Sequence, residues 1–124
     1  SMEKYQEMYH PPLSPPGWVF PIVWLLLYTL MGISAYRIYM KNPKAEALKL
    51  YLIQLAVNFL WPIFFFNLGW QLFAAVWILL LWYLVFLLIK EFARIDPGAA
   101  KLLIPYLIWL TFAAYLNIVI ALHR

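Results

Sequence analysis

Cysteine is absent from all 124 residues, which excludes disulfide bonds and thiolate chemistry without fixing a compartment. Charge is nearly as scarce. Asp, Glu, Lys and Arg make up 11% of the chain, whereas a soluble domain carries about a quarter. The two histidines, His10 and His123, sit near opposite ends of the chain, so no metal-ligand cluster is expected. A Ser/His/Asp nucleophile arrangement, a P-loop and a dinucleotide fingerprint are likewise missing, which removes the common hydrolase and nucleotide-binding classes. The net charge of +4 does not point to nucleic acid, because the basic residues sit in short caps between apolar runs.

What remains is apolar: 67% of the residues, with a further pattern in where the charges stop. No charged residue occurs between Leu50 and Ile89 or between Leu102 and Leu122, and Trp18 to Met40 contains only Arg37. The first gap is forty residues, enough for two spans of roughly 20 residues each and too long for one crossing. The expectation is an all-α integral membrane protein, a four-helix transmembrane bundle in a single domain over residues 1–124. Its helices are expected at about 14–40, 45–66, 70–90 and 99–122. The first apolar run follows a polar, proline-rich stretch with no small-residue cleavage site, so no ordinary signal peptide is expected.

Turn chemistry sets the boundaries. Ser14 can cap the first helix with Pro15 in its first turn, while Pro21 calls for either a later start or a kink. Asn42-Pro43 and Asn67-Leu68-Gly69 read as reversals, and Lys90 to Lys101, with Asp96-Pro97-Gly98, reads as the clearest loop. Pro105 belongs near the start of the last helix. Alternating crossings put loops 41–49 and 90–101 on one side with Arg37, Lys41, Lys44, Lys49, Lys90, Arg94 and Lys101; Lys4 and Arg124 lie on the other. That seven-to-two bias makes the first side cytoplasmic in a bacterial cell membrane.

The second span carries Tyr51, Gln54, Asn58, Trp61 and Phe65 on one face at spacings of three or four. Its amides are costly to leave unpaired in lipid and should turn inward, either into an interhelical hydrogen-bond network or toward a ligand. Tyr106, Trp109, Ala113 and Asn117 form a similar face on the last span, and Trp24, Tyr28, Met31, Gly32 and Ala35 lie across adjacent faces of the first. Together they can enclose a flat apolar molecule with a few directional polar contacts. Trp18, Trp70 and Tyr106 fall near the expected interfaces, where anchoring is a competing role. Trp61, Trp77 and Trp82 stay open between packing, lipid exposure and a pocket wall. The Pro11, Pro12, Pro15 and Pro16 segment is either a cover for the bundle mouth or a simple interfacial lead-in.

The combined pattern resembles the translocator protein family, also called tryptophan-rich sensory proteins or peripheral benzodiazepine receptors. The stretches that carry it are Ser14-Pro15-Pro16-Gly17-Trp18-Val19-Phe20; Val23-Trp24, Leu27-Tyr28 and Met31-Gly32; Gln54, Asn58 and Trp61 before Phe64-Phe65; and Leu103-Ile104-Pro105-Tyr106, Trp109, Phe112-Ala113 and Leu116-Asn117. It covers roughly residues 11–122 and matches helices two to five of a five-helix fold, without the first. Leu13 stands where the family commonly has Trp, which removes an aromatic surface from the pocket mouth.

The resemblance implies a membrane receptor or sensor that binds tetrapyrroles such as protoporphyrin, or related apolar heterocycles, in an intramembrane aromatic pocket. Trp24, Tyr28, Asn58, Trp61, Tyr106, Trp109, Ala113 and Asn117 are the implied ligand-binding residues. Trp24 and Trp109 match tryptophans tied to light-dependent porphyrin degradation, so a photochemical role falls to them. No cofactor is required; a porphyrin or haem-like molecule is the implied ligand, with membrane lipid and a second copy of the chain as partners and no nucleic acid. The alternatives are a tetrapyrrole or sterol transporter, a light-dependent porphyrin-degrading protein, and a nonfunctional truncated bundle. Leu30, Tyr36 and Lys41 fit a loose cholesterol-recognition spacing, but off the final helix where the family's motif lies.

Overall fold

The computed structural model describes residues 12–67 and 69–123. His10, Pro11, Lys4, Arg124 and Leu68 therefore lie outside the described residues. The helices run α1 Val19–Lys41, α2 Glu46–Phe65, α3 Gln71–Ile95, α4 Pro97–Leu102 and α5 Ile104–Leu122. With α4 and α5 taken as one span, four helices among the described residues are long and apolar enough to cross a membrane. The protein is an all-α transmembrane bundle.

The first helix begins at Val19 rather than near Ser14, with Trp18 as a cap that makes no side-chain capping bond. Ser14 and Pro15 each precede a proline, which disfavours helical backbone. Pro21 then falls in the first turn, where a missing N–H has no intrahelical acceptor to lose, so the later start resolves it. At the far end of α2, Gly69 supplies the positive φ (94°) of the reversal. Buried Gln71 ties this turn down: its Oε1 accepts from Gly69 N at 3.0 Å and its Nε2 donates to the Asn67 carbonyl at 3.3 Å.

The expected loop at 90–101 is corrected most. Helix α3 continues to Ile95 and only Asp96 interrupts the path into α4. Lys90, Glu91 and Arg94 are good helix formers, and Glu91 pairs with Arg94 one turn on, at 3.6 Å. Charge there marks the membrane surface and not the end of the helix. Pro97 forces Asp96 into extended backbone (φ −150°, ψ 100°), and Asp96 then caps α4 by accepting from Gly98 N at 3.0 Å. Pro105 imposes the second break, at Leu103, and stands in the opening turn of α5.

Helix α3 is the spine. Ala74, Ile78, Leu81, Val85, Leu88 and Phe92 recur at alternating spacings of four and three, all at most 1% exposed, and it packs along both α2 and α5. Leu25, Leu26, Leu52, Ile53, Leu72 and Val76 face outward, as a lipid solvent allows. Helix α1 packs chiefly on short α4 and more thinly on α2 and α3, with little backbone approach to α5. Ser34 donates to the Ala99 carbonyl at 2.7 Å, and Arg37 grips Asp96 through Nε at 2.8 Å and Nη2 at 3.0 Å. These contacts put the α1–α2 connection and the α3–α4 break at one end of the bundle.

Candidate functional site

At the opposite end, α1, α2 and α5 enclose a cavity of about 240 Å³. Helix α1 contributes Phe20, Pro21 and Trp24; the last turn of α2 and the residue after it contribute Trp61, Pro62, Phe65 and Phe66; α5 contributes Trp109, Ala113 and Leu116. No ionisable side chain stands on this wall, so it offers aromatic surface and indole N–H groups rather than acid, base or nucleophile.

Trp24 is the hub of the rings. It stacks on Tyr28 with centroids 5.6 Å apart and meets Tyr106 at 6.3 Å and Trp109 at 6.4 Å edge-on. Phe20 meets Trp109 at 5.8 Å, and Trp61 stacks on Phe65 at 4.8 Å. Such offset and edge-to-face arrangements are the favoured aromatic geometries, and they leave faces that a flat apolar molecule can cover.

Behind the rings runs a hydrogen-bonded seam. The Tyr28 hydroxyl donates to Asn58 Oδ1; Asn58 Nδ2 donates to the Tyr106 hydroxyl at 2.8 Å; Tyr106 donates to Gln54 Oε1 at 2.7 Å. Gln54 Nε2 ends the chain on Met31 Sδ at 3.9 Å. A second strand ties α2, α5 and α3: Trp61 Nε1 donates to Asn117 Oδ1 at 2.9 Å, and Asn117 Nδ2 to the Gln71 carbonyl at 2.9 Å. In hydrocarbon these amides have no water to fall back on, so the seam fixes the register of four helices.

Of the eight expected ligand-binding residues, Trp24, Trp61, Trp109 and Ala113 line the cavity. Tyr28, Asn58, Tyr106 and Asn117 are not on its wall and instead form the seam. Tyr106 is fully buried, which rules out an interfacial anchor, whereas Trp18 and Trp70 are exposed. Trp77 and Trp82 pack between helices, donating to the Val57 carbonyl and to Thr111 Oγ1. The proline-rich lead-in lies against α5, where the Pro12 carbonyl accepts from Tyr115 at 2.8 Å. Phe20, Pro21, Pro62, Phe66 and Leu116 were not expected on the wall. Phe20 precedes Trp24 by four residues and Leu116 follows Trp109 by seven, so helical spacing carried a signal for both. The prolines and Phe66 depended on where the helices end.

The other polar centre is Asp96, 2% exposed, which accepts from Arg37 and Gly98 and has Lys41 Nζ at 3.5 Å. The bonds from Arg37 hold its carboxyl down at about 2, against the opposing pull of burial, with help from the Arg37 charge, Gly98 N–H and Lys41. This cluster is a helix tie at the far pole from the cavity.

Comparison with known proteins agrees with this architecture. The family model described as the TspO/MBR family matches residues 1–123. The chain is 38% identical over 120 residues to the tryptophan-rich protein TspO of Chlorobaculum tepidum, covering 94% of this chain and 76% of that relative. It is 37% identical over 115 residues to the tryptophan-rich sensory protein of Cereibacter sphaeroides (93% and 73% covered). It is 36% identical over 128 residues to the translocator protein of Homo sapiens (91% and 70% covered). A match over nearly the whole chain, with relatives in bacteria and animals, means that this tryptophan-lined bundle belongs to the TspO/MBR family.

Proposed function

We propose that the protein is a membrane receptor or sensor that binds tetrapyrroles such as protoporphyrin, and related flat apolar heterocycles, in the cavity between α1, α2 and α5. The observation that carries this reading is the wall itself: Phe20, Trp24, Trp61, Phe65 and Trp109 around one intramembrane space. At about 240 Å³ the cavity is smaller than the roughly 300–1,000 Å³ of typical small-molecule sites. A macrocycle would therefore insert by one edge. Protoporphyrin titration of the protein in nanodiscs, followed by Soret absorbance, tests the reading. Trp24→Ala and Trp109→Ala should each weaken binding about 5- to 30-fold, since each removes an aromatic face worth ~1–2 kcal/mol. Full affinity in both variants would defeat the site.

The juxtaposition of Trp24 and Trp109, 6.4 Å apart on one wall, favours a second reading in which the bound pigment is degraded under light. Indole is a poor acid and a poor base, so such chemistry would be oxidation of the photoexcited pigment by dissolved dioxygen, which takes up the electrons, rather than hydrolysis. The setting proposed for both readings is a bacterial cell membrane with the Arg37–Asp96 end cytoplasmic, on the seven-to-two basic bias. A homodimer is proposed as the assembled form.

A further inference from the structure

We infer that Trp109 is a gate through which flat apolar ligands reach the cavity sideways from the bilayer, between α1 and α5. Trp109 belongs to two walls at once. One is the internal cavity; the other is a groove on the outside of the bundle, between Val23, Leu26 and Leu30 of α1 and Pro105, Ile108 and Phe112 of α5. The groove lies where α1 and α5 make little backbone approach, and its rim is open to lipid: Leu26 is 59% and Ile108 65% exposed. The indole of Trp109 stands between this outward-facing groove and the cavity.

The ring also lacks the polar tether that holds three other indoles. Trp61, Trp77 and Trp82 are each pinned by an indole N–H bond of 2.8–2.9 Å. The Trp109 N–H is buried with no acceptor, so rotation sacrifices no hydrogen bond. What holds the ring is edge contact with Phe20 and Trp24 on the cavity side and a tilted contact with Phe112 on the groove side, at 5.6 Å. Swinging toward Phe112 exchanges one set of aromatic neighbours for another and joins the two spaces.

The inference rests on the proposed binding of a tetrapyrrole-like ligand, so its test has one arm with ligand and one without. Leu26→Trp and Ile108→Trp fill the groove from its rim, and neither residue lines the cavity. In nanodiscs, protoporphyrin association and dissociation should both slow by about 10-fold in each variant while the affinity stays within about 2-fold, because an obstacle on the path does not change its end points. Unchanged rates, or a fall in affinity with association unaltered, overturn the passage. In ligand-free protein carrying 5-fluorotryptophan, with the resonance assigned through Trp109→Phe, ¹⁹F relaxation should show Trp109 exchanging between two environments while Trp61, Trp77 and Trp82 do not. Ile108→Trp should suppress that exchange. A single rigid environment at Trp109 overturns the gate whatever the pigment does. Absence of protoporphyrin binding in the parent protein defeats the proposed function instead and leaves the fluorine arm to decide the gate.

Discussion

Removing one oxygen atom should distinguish the seam from the pocket. Tyr106 is fully buried, accepts from Asn58 Nδ2 at 2.8 Å and donates to Gln54 Oε1 at 2.7 Å. Tyr106→Phe keeps the ring that meets Trp24 and deletes both bonds, leaving an amide donor and an amide acceptor facing a C–H edge. Interhelical hydrogen bonds in membrane proteins are worth about 0.6 kcal/mol on average and up to about 1.7, so two should cost ~1–3 kcal/mol. Reversible unfolding in mixed micelles, followed by helical circular dichroism, measures that loss. Protoporphyrin affinity should change by less than about 2-fold, since less than ~0.4 kcal/mol of contact is at stake off the wall. Trp61→Phe is the control: it breaks a single bond to Asn117 but sits on the wall, so both readouts should move. A Tyr106→Phe protein that is as stable as its parent yet binds pigment 10-fold more weakly would refute the assignment of Tyr106 to the seam.

Three further outcomes follow from the geometry. Because the Asp96 carboxyl is held at about 2, below its ordinary 3.8, its tie to Arg37 should contribute stability fully above about pH 4 and lose it as the pH falls toward 2; acid unfolding of Asp96→Asn should lack that component. Single cysteines at Lys44 and Lys101 in this cysteine-free chain should react with a membrane-impermeant thiol reagent from one side of sealed vesicles and a cysteine at Asn67 from the other; labelling of all three from one side would rule out four crossings. Protoporphyrin loss should require light and oxygen and fall in Trp24→Phe and Trp109→Phe variants that still bind; turnover in darkness would reject the photochemical reading.

The spans were legible because lipid demands long uncharged runs, and Leu50–Ile89 leaves little choice once one helix is too long for the bilayer. The inward turn of Gln54 and Asn58 was legible for the same reason. Their partners were not. Nothing local says that Asn58 meets Tyr106, 48 residues away, or that the two tyrosines serve the seam rather than the cavity. Spacing places a side chain on a face, but depth along the helix decides whether it meets a ring or an amide. The loop at 90–101 misled because its charges resemble those of a soluble turn. In a membrane protein they mark the level where water begins, and the helix can pass through it to Ile95.

Arg37 shows how the two poles of the bundle are related. It is the one charge between Trp18 and Met40, and its guanidinium reaches across to a carboxylate whose position is set by Pro97. Gly98 makes room for it: a β-carbon there would come within 2.8 Å of Arg37 Cζ. Helix α1 needs such a fastening because only 17% of its most apolar window is buried, against 44% for the span formed by α4 and α5. Packing alone holds it weakly, since lipid is as good an apolar neighbour as another helix. The polar ties of α1 include Arg37 and Lys41 on Asp96, Ser34 on Ala99, Gln54 on Met31 and, halfway up, Tyr28 on Asn58. Above Tyr28, toward the cavity, Trp24 and Phe20 make ring contacts to Tyr106 and Trp109. The helix is thus tied by charge at its basic end and by aromatic contact at the end that lines the cavity.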